Sequence, residues 1–405
     1  MKPIKSIVSY ILLGNYTIVS KIAFYINEEY IFDHYHNVMM RLNSNNFDVV
    51  LADKFKDEKY KPIIDRLTSY SWNVVFLNDV LYVKKYKVLV THLYLGGNTT
   101  HSGTVFSRLS VVSSEIIDKL IKAVGLSVFK EPTKQYFQNI LGLYNIRFMY
   151  GADAGGVKFG EYNQLFDMFF CHGPRDANII KDKFKKPVFE MGYPRYDNYF
   201  KNIDNENLKK TILKKYSCNN NKVTVLWICT VSEYFSTIET YAKSIQNITD
   251  KYNVILRPHP LEIDPQYSRY NQKVFDIVNS GFCVINSDPC QDMSELYLIA
   301  DYVFCDYGGT VFSALYVEKN ILLMNHKNVH MDDGVFSSTS MEIREFLPSI
   351  NETDTDRIVE YLSDPKFWIE AKQKRKEARI HYFGSSKGNS SKLAVDKFMS
   401  ILNSV

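Results

Sequence analysis

The sequence predicts an α/β protein in which two Rossmann-like domains face each other across a cleft. The length of 405 residues suits two large domains. Short apolar, β-branched or aromatic runs alternate with longer polar-periodic segments, a pattern typical of βαβ units and a mainly parallel sheet. A polar, asparagine-rich stretch at 202–221 separates two sets of these runs. We therefore predict a first domain at 1–204, a linker at 205–221, a second domain at 222–378, and a C-terminal loop and helix at 379–405.

The predicted strands are short, and most are followed by a polar segment. In the first domain they cover 21–26, 47–52, 73–77, 87–91, 146–150, 166–171 and 187–191. In the second domain they cover 222–229, 253–257, 282–286, 302–305 and 321–324. Helices are expected at 236–251, 294–300, 310–317, 355–362 and 390–402.

The composition excludes several classes of protein. With 45% hydrophobic and 23% charged residues, the chain is neither disordered nor fibrous. The net charge of +4 is too small for a typical nucleic-acid-binding protein. The six cysteines form no CxxC pair and no zinc-ligand spacing, so we expect buried thiols in a reducing compartment. The aromatic content of 14%, with 29 tyrosines, is high and has no immediate explanation.

The apolar segment at 6–20 is shorter than the roughly 20 residues needed to cross a bilayer. No small-residue cleavage site follows it, so a signal peptide is not favoured either. We expect an ordinary helix packed on the first domain, with an amphipathic helix on a membrane surface as the alternative. A cytoplasmic location is predicted.

The first candidate site lies where the strand at 253–257 ends. In doubly wound sheets, ligands bind beyond the carboxyl ends of the strands. This strand delivers Arg257 and His259 to that edge, and Pro258 and Pro260 restrict the loop around the histidine. Arginine offers a bidentate fork to phosphate, and histidine can neutralise or protonate a leaving group. A structural histidine at a strand end is the alternative.

The second candidate site follows the strand at 302–305. Asp306 ends the strand, Gly308 and Gly309 allow close backbone approach, and Thr310 can begin a helix whose exposed amides suit a diphosphate. A tight turn without a ligand would use the same glycines.

Two further segments are candidates for contacts with the donor. Ser294 and Glu295 open a short helix and either reach a ribose or cap the helix. Ser386 and Lys387, in a glycine-serine loop before the last helix, either close over a phosphate or belong to a flexible capped loop. The basic run at 372–379 is interpreted as a solvated helix face, with contact to anionic lipid as the alternative.

The first domain supplies the candidates for the acceptor side. Tyr150 and Asp153 lie in a glycine-rich loop after a strand, and Asp153 is the better base because the ordinary pKa of tyrosine is near 10. Arg195 lies beyond the last strand of this domain, where it either holds a phosphate or pairs with Asp197.

Together these motifs resemble the CDP-glycerol glycerophosphotransferase family, which builds teichoic-acid-like polymers. The family's RPHP loop is matched at 257–260, its acidic-aromatic-small-small turn at 306–309, its GYPR segment at 192–195, and its C-terminal glycine/lysine/serine loop at 383–391. The order and spacing agree over roughly 146–403. The resemblance implies a GT-B fold, metal-independent transfer without a cofactor, and membrane-associated work on the cytoplasmic face.

The chain departs from the family pattern at two places. The family has Trp-His-Gly in the first-domain loop, with the histidine as base, whereas this chain has Met149, Tyr150 and Gly151. Asp153 and His172 are the candidates to replace that histidine. The family's paired serines are also absent, because Gly308 and Gly309 stand in their places.

The expected function is transfer of a polyol phosphate from a CDP-activated donor to a hydroxyl of a bacterial surface-glycan or lipid-linked acceptor. CDP-glycerol is the first candidate donor and CDP-ribitol the second. His259 and Arg257, with the backbone amides that follow Asp306, would stabilise charge on the phosphates. The alternatives are a nucleotide-sugar glycosyltransferase, a UDP-sugar 2-epimerase, and a non-catalytic glycan-assembly protein.

Overall fold

The computed structural model describes residues 16–81, 83–95, 136–151, 159–230, 237–265, 269–287, 292–326 and 338–405. It contains two sheets, and every strand pairing in them is parallel. The first sheet has the order β3-β2-β1-β4-β5-β6-β7, and the second has the order β10-β9-β8-β11-β12-β13. Numbered from its own first strand, each sheet begins 3-2-1-4-5-6, which is the Rossmann order. The predicted fold class is confirmed.

The strands of the first sheet are largely buried, as expected for a parallel sheet covered on both faces. They are β1 (Thr17–Ile26), β2 (Phe47–Leu51), β3 (Val74–Phe76), β4 (Lys84–Thr91), β5 (Gly142–Phe148), β6 (Met168–Cys171) and β7 (Val188–Glu190). The second sheet consists of β8 (Thr224–Ile228), β9 (Asn253–Arg257), β10 (Val284–Ile285), β11 (Tyr302–Cys305), β12 (Asn320–Met324) and β13 (Ser349–Ile350). All the predicted strands are present: β9 and β11 have the predicted bounds, the others have shifted ends, and β13 is additional.

The helices cover the two sheets. In the first part of the chain they are α1 (Glu29–Met39), α2 (Lys61–Ser69), α3 (Leu77–Val80), α4 (Tyr136–Leu141), α5 (Pro174–Phe184) and α6 (Asp197–Asn202). They continue with α7 (Glu206–Lys215), α8 (Ile238–Gln246), α9 (Pro260–Ile263), α10 (Gln272–Asn279) and α11 (Met293–Ile299). The last are α12 (Gly309–Tyr316), α13 (Ser338–Glu342), α14 (Ile358–Ser363), α15 (Pro365–Phe383) and α16 (Ser390–Ser404). Among the described residues, no helix is both long and apolar enough to cross a membrane.

The helix expected at 6–20 is wrong in its C-terminal part. Residues 6–15 lie outside the described residues, and β1 already begins at Thr17. This strand pairs with β2 and β4, so it occupies the centre of the sheet. Its β-branched residues Thr17, Ile18 and Val19 favour a strand over a helix. The apolar run that looked like a helix thus ends in the amino-terminal half of a central strand.

The segment predicted as the linker contains a helix packed on the second domain. Asn205 caps α7 by accepting a hydrogen bond from the Leu208 amide at 3.1 Å. Ile212 and Tyr216 of this segment are buried in the second domain's core. The connection between the domains is therefore ordered, and it contributes apolar contacts to the core of the second domain.

The last helix returns to the first domain. Ala394, Phe398, Ile401 and Leu402 of α16 are buried in the first domain's core. The Phe398 ring lies 4.4 Å from the ring of Phe170, between centroids. The preceding helix, α15, packs on α12 of the second domain and also on α5 of the first, and its Tyr382 and Phe383 are buried. The chain therefore crosses between the domains twice.

Both crossings meet at the carboxylate of Asp197, which caps α16. Its Oδ1 accepts a hydrogen bond from the Ser390 amide at 3.0 Å, and its Oδ2 accepts one from the Ser391 amide at 2.7 Å. The Ser390 hydroxyl accepts a hydrogen bond from the Tyr193 amide at 3.1 Å. A Cβ atom on Gly192, where φ is +78°, would lie 2.2 Å from the Ser390 oxygen, so only glycine fits there.

Asp197→Ala should destabilise the protein, because it leaves two buried helix-start amides without acceptors. We expect a loss of about 2–4 kcal/mol in the free energy of unfolding. Chemical denaturation measures this loss, and limited proteolysis should show earlier cleavage within 384–405. Asp204→Ala, at an exposed position in the same region, is the matched control. Equal unfolding midpoints for the two variants would contradict the capping role.

Candidate active site

The candidate site lies where the carboxyl ends of the two sheets approach each other. Asp33 on α1 belongs to the first domain, and burial raises the pKa of its carboxyl while Arg195 opposes that rise. Arg257 and Asp292 of the second domain also act on this carboxyl electrostatically. Charge–charge effects of this kind fall off over about 10 Å in salt solution. Charged groups from both domains therefore share one cleft.

Arg195 is held on the first-domain side of the cleft. Its Nη2 lies 3.5 Å from Oδ2 of Asp33, and its Nη1 lies 3.4 Å from Nε2 of His34. The side-chain amide of Asn37 donates hydrogen bonds to the carbonyls of Pro194 and Arg195 at 2.9 and 3.1 Å. Asp197 is occupied by α16 and is not the partner of Arg195. The predicted phosphate contact of Arg195 stays a prediction.

Arg257 and His259 are both fixed after β9. The Arg257 guanidinium donates to the side-chain oxygen of Asn286, whose amide nitrogen in turn donates to the Tyr216 hydroxyl at 2.9 Å. His259 caps α9, and its Nδ1 accepts a hydrogen bond from the Leu261 amide at 3.3 Å. In the neutral ring the proton must therefore reside on Nε2, which becomes a donor.

The charge state of His259 follows from its surroundings. Burial, with smaller contributions from the positive charges of Arg269 and Arg257, lowers the pKa of the imidazole to about 4. The ring is therefore neutral at physiological pH in the free protein. A bound polyanion would supply the negative charge that favours protonation.

The turn after β11 presents backbone amides. Gly308 adopts φ +95°, a left-handed conformation that a side chain would strain. It precedes α12, whose first amides have no partners within the helix. Gly309 and Thr310 are part-buried, and amides at a helix start suit an anion. The predicted contact of this turn with the donor stays a prediction.

Asp306 lies beneath this turn and is fully buried. Its Oδ1 accepts hydrogen bonds from the amides of Thr230 and Tyr307 at 2.8 and 2.7 Å. Its Oδ2 accepts from the Thr237 amide at 3.2 Å and the Thr237 hydroxyl at 3.1 Å. Burial raises the pKa of this carboxyl to about 6. The carboxylate organises the loops around the site, and its predicted contact with the donor is untested.

The remaining donor-side candidates have protein partners or are buried. Ser294 is buried, and its hydroxyl has no hydrogen-bond partner among the described residues. Asp292 caps α11, because its Oδ1 accepts a hydrogen bond from the Ser294 amide at 2.8 Å. Glu295 pairs with Lys215 at 3.0 Å. Lys387 pairs with Glu318 at 3.1 Å on the surface. The Ser386 carbonyl accepts from Arg379 at 3.0 Å.

Of the candidates for the acceptor side, Tyr150 and His172 are described by the structure, and Asp153 lies outside the described residues. The Tyr150 carbonyl accepts a hydrogen bond from the Tyr193 hydroxyl at 3.3 Å. His172 is fully buried, with its ring centroid 4.4 Å from that of Tyr193. In this arrangement His172 supports the wall of the cleft and does not line it.

Sequence reasoning missed three residues near this wall: Asp33, His34 and His92. His92 directly follows β4, and its ring packs edge-on at 5.2 Å from Tyr150. Burial and the nearby Arg147 charge lower the pKa of His92 to about 3, and burial also lowers the pKa of His34. Both rings are therefore neutral. Applied to β4, the strand-end rule that found Arg257 would have found His92, whereas Asp33 and His34 lie inside α1 and not at the end of β1.

The two walls of the cleft differ in chemistry. The second-domain wall carries the Arg257 guanidinium, the Nε2–H of His259 and the helix-start amides of α12, groups that suit a diphosphate. The first-domain wall is formed by tyrosines, neutral histidines and the ion pair of Arg195 with Asp33. Within the described ranges, no group of three or more His, Cys, Asp or Glu side chains could hold a metal ion. The expected independence from metals stays a prediction.

Comparison with protein families gives a match to the model described as CDP-glycerol:poly(glycerophosphate) glycerophosphotransferase. The match covers residues 153–399, more than half of the chain. A teichoic acid poly(glycerol phosphate) polymerase from Bacillus spizizenii is 27% identical over 150 residues. That alignment covers 35% of this chain and 35% of the relative, so the match spans about a third of the relative's length.

Solved structures share the fold over the whole chain. The wall teichoic acid polymerase TagF superposes with a TM-score of 0.65 at 13% identity, covering 100% of this chain and 94% of that one. A UDP-GlcNAc 2-epimerase from Neisseria meningitidis gives 0.55 at 13% identity, covering 94% of this chain and 100% of that one. Similarity at this level of identity establishes a GT-B-like architecture and no more.

The imidazole of His259 should titrate near pH 4 in the free protein, which NMR of labelled histidines measures. The unfolded chain binds this proton near the ordinary value of 6.5, so acidification from pH 6.5 to 4 should lower the free energy of unfolding. His259→Gln identifies the signal and should remove that part of the pH dependence. Titration near 6.5 in the free protein would show that the ring is not held as described.

Proposed function

Because the chain belongs to the CDP-glycerol:poly(glycerophosphate) glycerophosphotransferase family, we propose that it transfers glycerol phosphate from CDP-glycerol to a hydroxyl group. The acceptor would be a bacterial surface glycan or a lipid-linked precursor. The observation that carries this proposal is the fixed pair of Arg257 and His259 beside the amides of α12. A TagF variant soaked with CDPG has the same fold, which supports this donor.

In the proposed reaction the acceptor hydroxyl oxygen attacks the β-phosphorus, which carries the glycerol. A new P–O bond forms, the P–O bond to the α-phosphate breaks, and CMP leaves. Arg257 and the Nε2–H of His259 would neutralise charge on the phosphate oxygens, aided by the amides of Gly309 and Thr310. Phosphoryl transfer depends mostly on positioning and electrostatics, which these groups can supply.

The proton of the acceptor hydroxyl needs a base on the first-domain side. Asp153 and Tyr150, on the loop after β5, are the candidates that could contact the acceptor. His172 is buried behind Tyr193, so we assign it a positioning role. We propose that no metal or other cofactor takes part, because the second-domain wall already carries a cation and several donors aimed at phosphate charge.

We also propose that the protein works in the cytoplasm on the inner face of the membrane. Buried free thiols such as Cys171, Cys229 and Cys305 suit a reducing compartment. On α15, Ile369 and Ile380 are 68% and 47% exposed. Lys372 and Lys376 lie between them on the same face of the helix. Exposed isoleucines flanked by lysines suit a surface of anionic lipid.

His259→Ala should lower the release of CMP from CDP-glycerol in the presence of acceptor by about 10²–10³-fold, because a donor to the phosphates is lost. CMP release is followed by chromatography, with and without EDTA. Lys210→Ala, an exposed change on α7, is the control and should retain full activity. If UDP-sugars are turned over and CDP-glycerol is not, the proposed function is wrong.

Reversing Lys372 and Lys376 together to glutamate should weaken binding to vesicles of phosphatidylglycerol by about tenfold or more, because each basic residue contributes about 1 kcal/mol at such a surface. Co-sedimentation measures the binding, and phosphatidylcholine vesicles should bind little of either protein. The matched control reverses Lys210 and Lys214 on α7. Equal losses in both double variants would mean that overall charge, not this face, governs the interaction.

A further inference from the structure

Arg344 is a part-buried cation that the proposed reaction does not use. It lies in a short 3₁₀ turn, Ile343–Glu345, that directly follows α13 in the second domain. Burial lowers the pKa of its guanidinium, yet arginine keeps its charge in proteins. A cation that is taken out of water destabilises the fold unless acceptors surround it. The groups that accept hydrogen bonds from Arg344 therefore show what its charge is used for.

The guanidinium of Arg344 joins three segments of the second domain. Its Nε donates a hydrogen bond to Oδ1 of Asn325, just beyond β12, at 2.8 Å. Its Nη1 donates to the carbonyl of Ser340 in α13 at 2.6 Å. Its Nη2 donates to the carbonyl of Asp306, just beyond β11, at 2.7 Å. Because the guanidinium is a rigid planar fork, three acceptors around it fix its position and theirs.

The same guanidinium lies against the residue that follows Asp306. Its central carbon is 4.0 Å from the ring centroid of Tyr307, a distance at which a cation is attracted to an aromatic face. The Tyr307 hydroxyl accepts a hydrogen bond from the His326 amide at 3.1 Å, so the polar end of the ring is held as well. Arg344 therefore contacts two consecutive residues, one through its backbone carbonyl and one through its side chain.

Asp306 and Tyr307 are the first half of the glycine turn, which we define as residues 306–309. Gly308 follows them with φ of +95°, and α12 begins directly after it. Glycine restricts its own backbone less than any other residue, so Gly308 alone does not determine where the first amides of α12 point. Their direction depends on how the two residues before Gly308 are held. The Asp306 carboxylate accepts from loop amides, while Arg344 holds the Asp306 carbonyl and the Tyr307 ring.

The segment that carries Arg344 is itself anchored. Glu342, two residues earlier, accepts hydrogen bonds from Nη2 and Nε of Arg175 at 2.7 and 3.0 Å. Its Oε1 also lies 2.8 Å from Nε2 of His381 on α15. Arg175 lies on α5 of the first domain, so contacts with both domains hold this segment. Arg344 therefore supports the glycine turn from a fixed position.

We propose that Arg344 is a positioning residue for the donor: it holds the glycine turn so that the amides of Gly309 and Thr310 point at the donor's diphosphate. All three nitrogens of its guanidinium donate to protein acceptors, so Arg344 acts through the turn and not by touching the phosphates. Backbone dipoles that are already oriented stabilise a bound charge without having to reorganise. This inference rests on the proposed function and adds a residue behind its donor site.

Arg344→Met should raise the KM for CDP-glycerol about tenfold, because the turn loses a hydrogen bond and the cation over its ring. The kcat and the KM for the acceptor should stay within about threefold, since only donor binding is weakened. Arg344→Lys keeps the charge with fewer donors and should give an intermediate KM. Steady-state release of CMP by the full chain measures these values.

Binding without turnover distinguishes positioning of the turn from a general loosening of the domain. By calorimetry, Arg344→Met should lower the affinity for CDP about tenfold and the affinity for CMP less, because CMP lacks the second phosphate. UDP is a second probe, and any affinity for it should fall by the same factor as for CDP, since the turn would contact phosphate and not the base. Equal losses for CDP and CMP would overturn the inference.

Lys319→Met is the matched control, because it also removes a part-buried cation that donates to a backbone carbonyl in the second domain. Nζ of Lys319 donates to the carbonyl of Ala300 at 2.8 Å, and Lys319 lies beyond the end of α12 that is opposite the glycine turn. Both Met variants should lower the free energy of unfolding, while only Arg344→Met should change the KM for CDP-glycerol. Equal changes in that KM would contradict a specific role of Arg344.

Asn325 keeps the inference testable if Arg344→Met does not fold. Asn325→Ala removes the acceptor of the Arg344 Nε and should raise the KM for CDP-glycerol about threefold. Asn325→Asp restores an acceptor oxygen and should stay near the unmodified value. An unchanged KM in Arg344→Met, or in Asn325→Ala where Arg344→Met does not fold, would overturn the inference and leave the proposed transfer intact.

The two nucleoside diphosphates separate this inference from the proposed function. If CDP-glycerol is not turned over, but CDP or UDP binds with an affinity that falls in Arg344→Met, only the proposed function is wrong. Failure of both CDP and UDP to bind the unmodified protein would overturn the inference, because the turn would then have no diphosphate to receive.

Discussion

The carboxylate of Asp197 is the contact on which the arrangement of the two domains depends. It holds the start of α16 against the segment that leaves the first domain, at the point where the chain crosses between the domains. Aromatic rings fill the space around it: Tyr193 lies 4.9 Å from Tyr196 and 5.6 Å from Tyr316 between centroids. Three of the 29 tyrosines are used here, in packing between the domains. The cleft is shaped by these contacts, because they fix the position from which each sheet presents its loops.

The two walls of the cleft have different roles in the proposed reaction. The second-domain wall positions phosphate oxygens with Arg257, His259 and backbone amides, and Asp306 below it ties three loop amides and one hydroxyl together. The first-domain wall carries little free charge, since its histidines are kept neutral by burial and its arginine is engaged with Asp33. Such a division lets the anionic donor bind in one orientation.

The sequence was sufficient to locate those site residues that are close neighbours in the chain. Arg257 and His259 follow one apolar strand, and Gly308 begins one helix, so alternating patterns and turn residues located them. It was insufficient where partners are distant: the contact between His34 and Arg195 joins residues 161 positions apart, and the one between Asp197 and Ser390 joins residues 193 apart. The local sequence pattern also gave a wrong prediction at Thr17, because a buried strand and a buried helix can have the same apolar run of residues.

The return of α16 to the first domain has a consequence for how the protein is made. Phe398 packs on Phe24, Phe148 and Phe170, so the first sheet lacks a large part of its cover until the segment around 390–404 is available. During synthesis the N-terminal half emerges first, and domains of most chains fold in that order. Here the first domain must wait with an exposed apolar surface while the second domain is completed. The cover of the first sheet is therefore complete only after residues near the C-terminal end of the sequence have been synthesised.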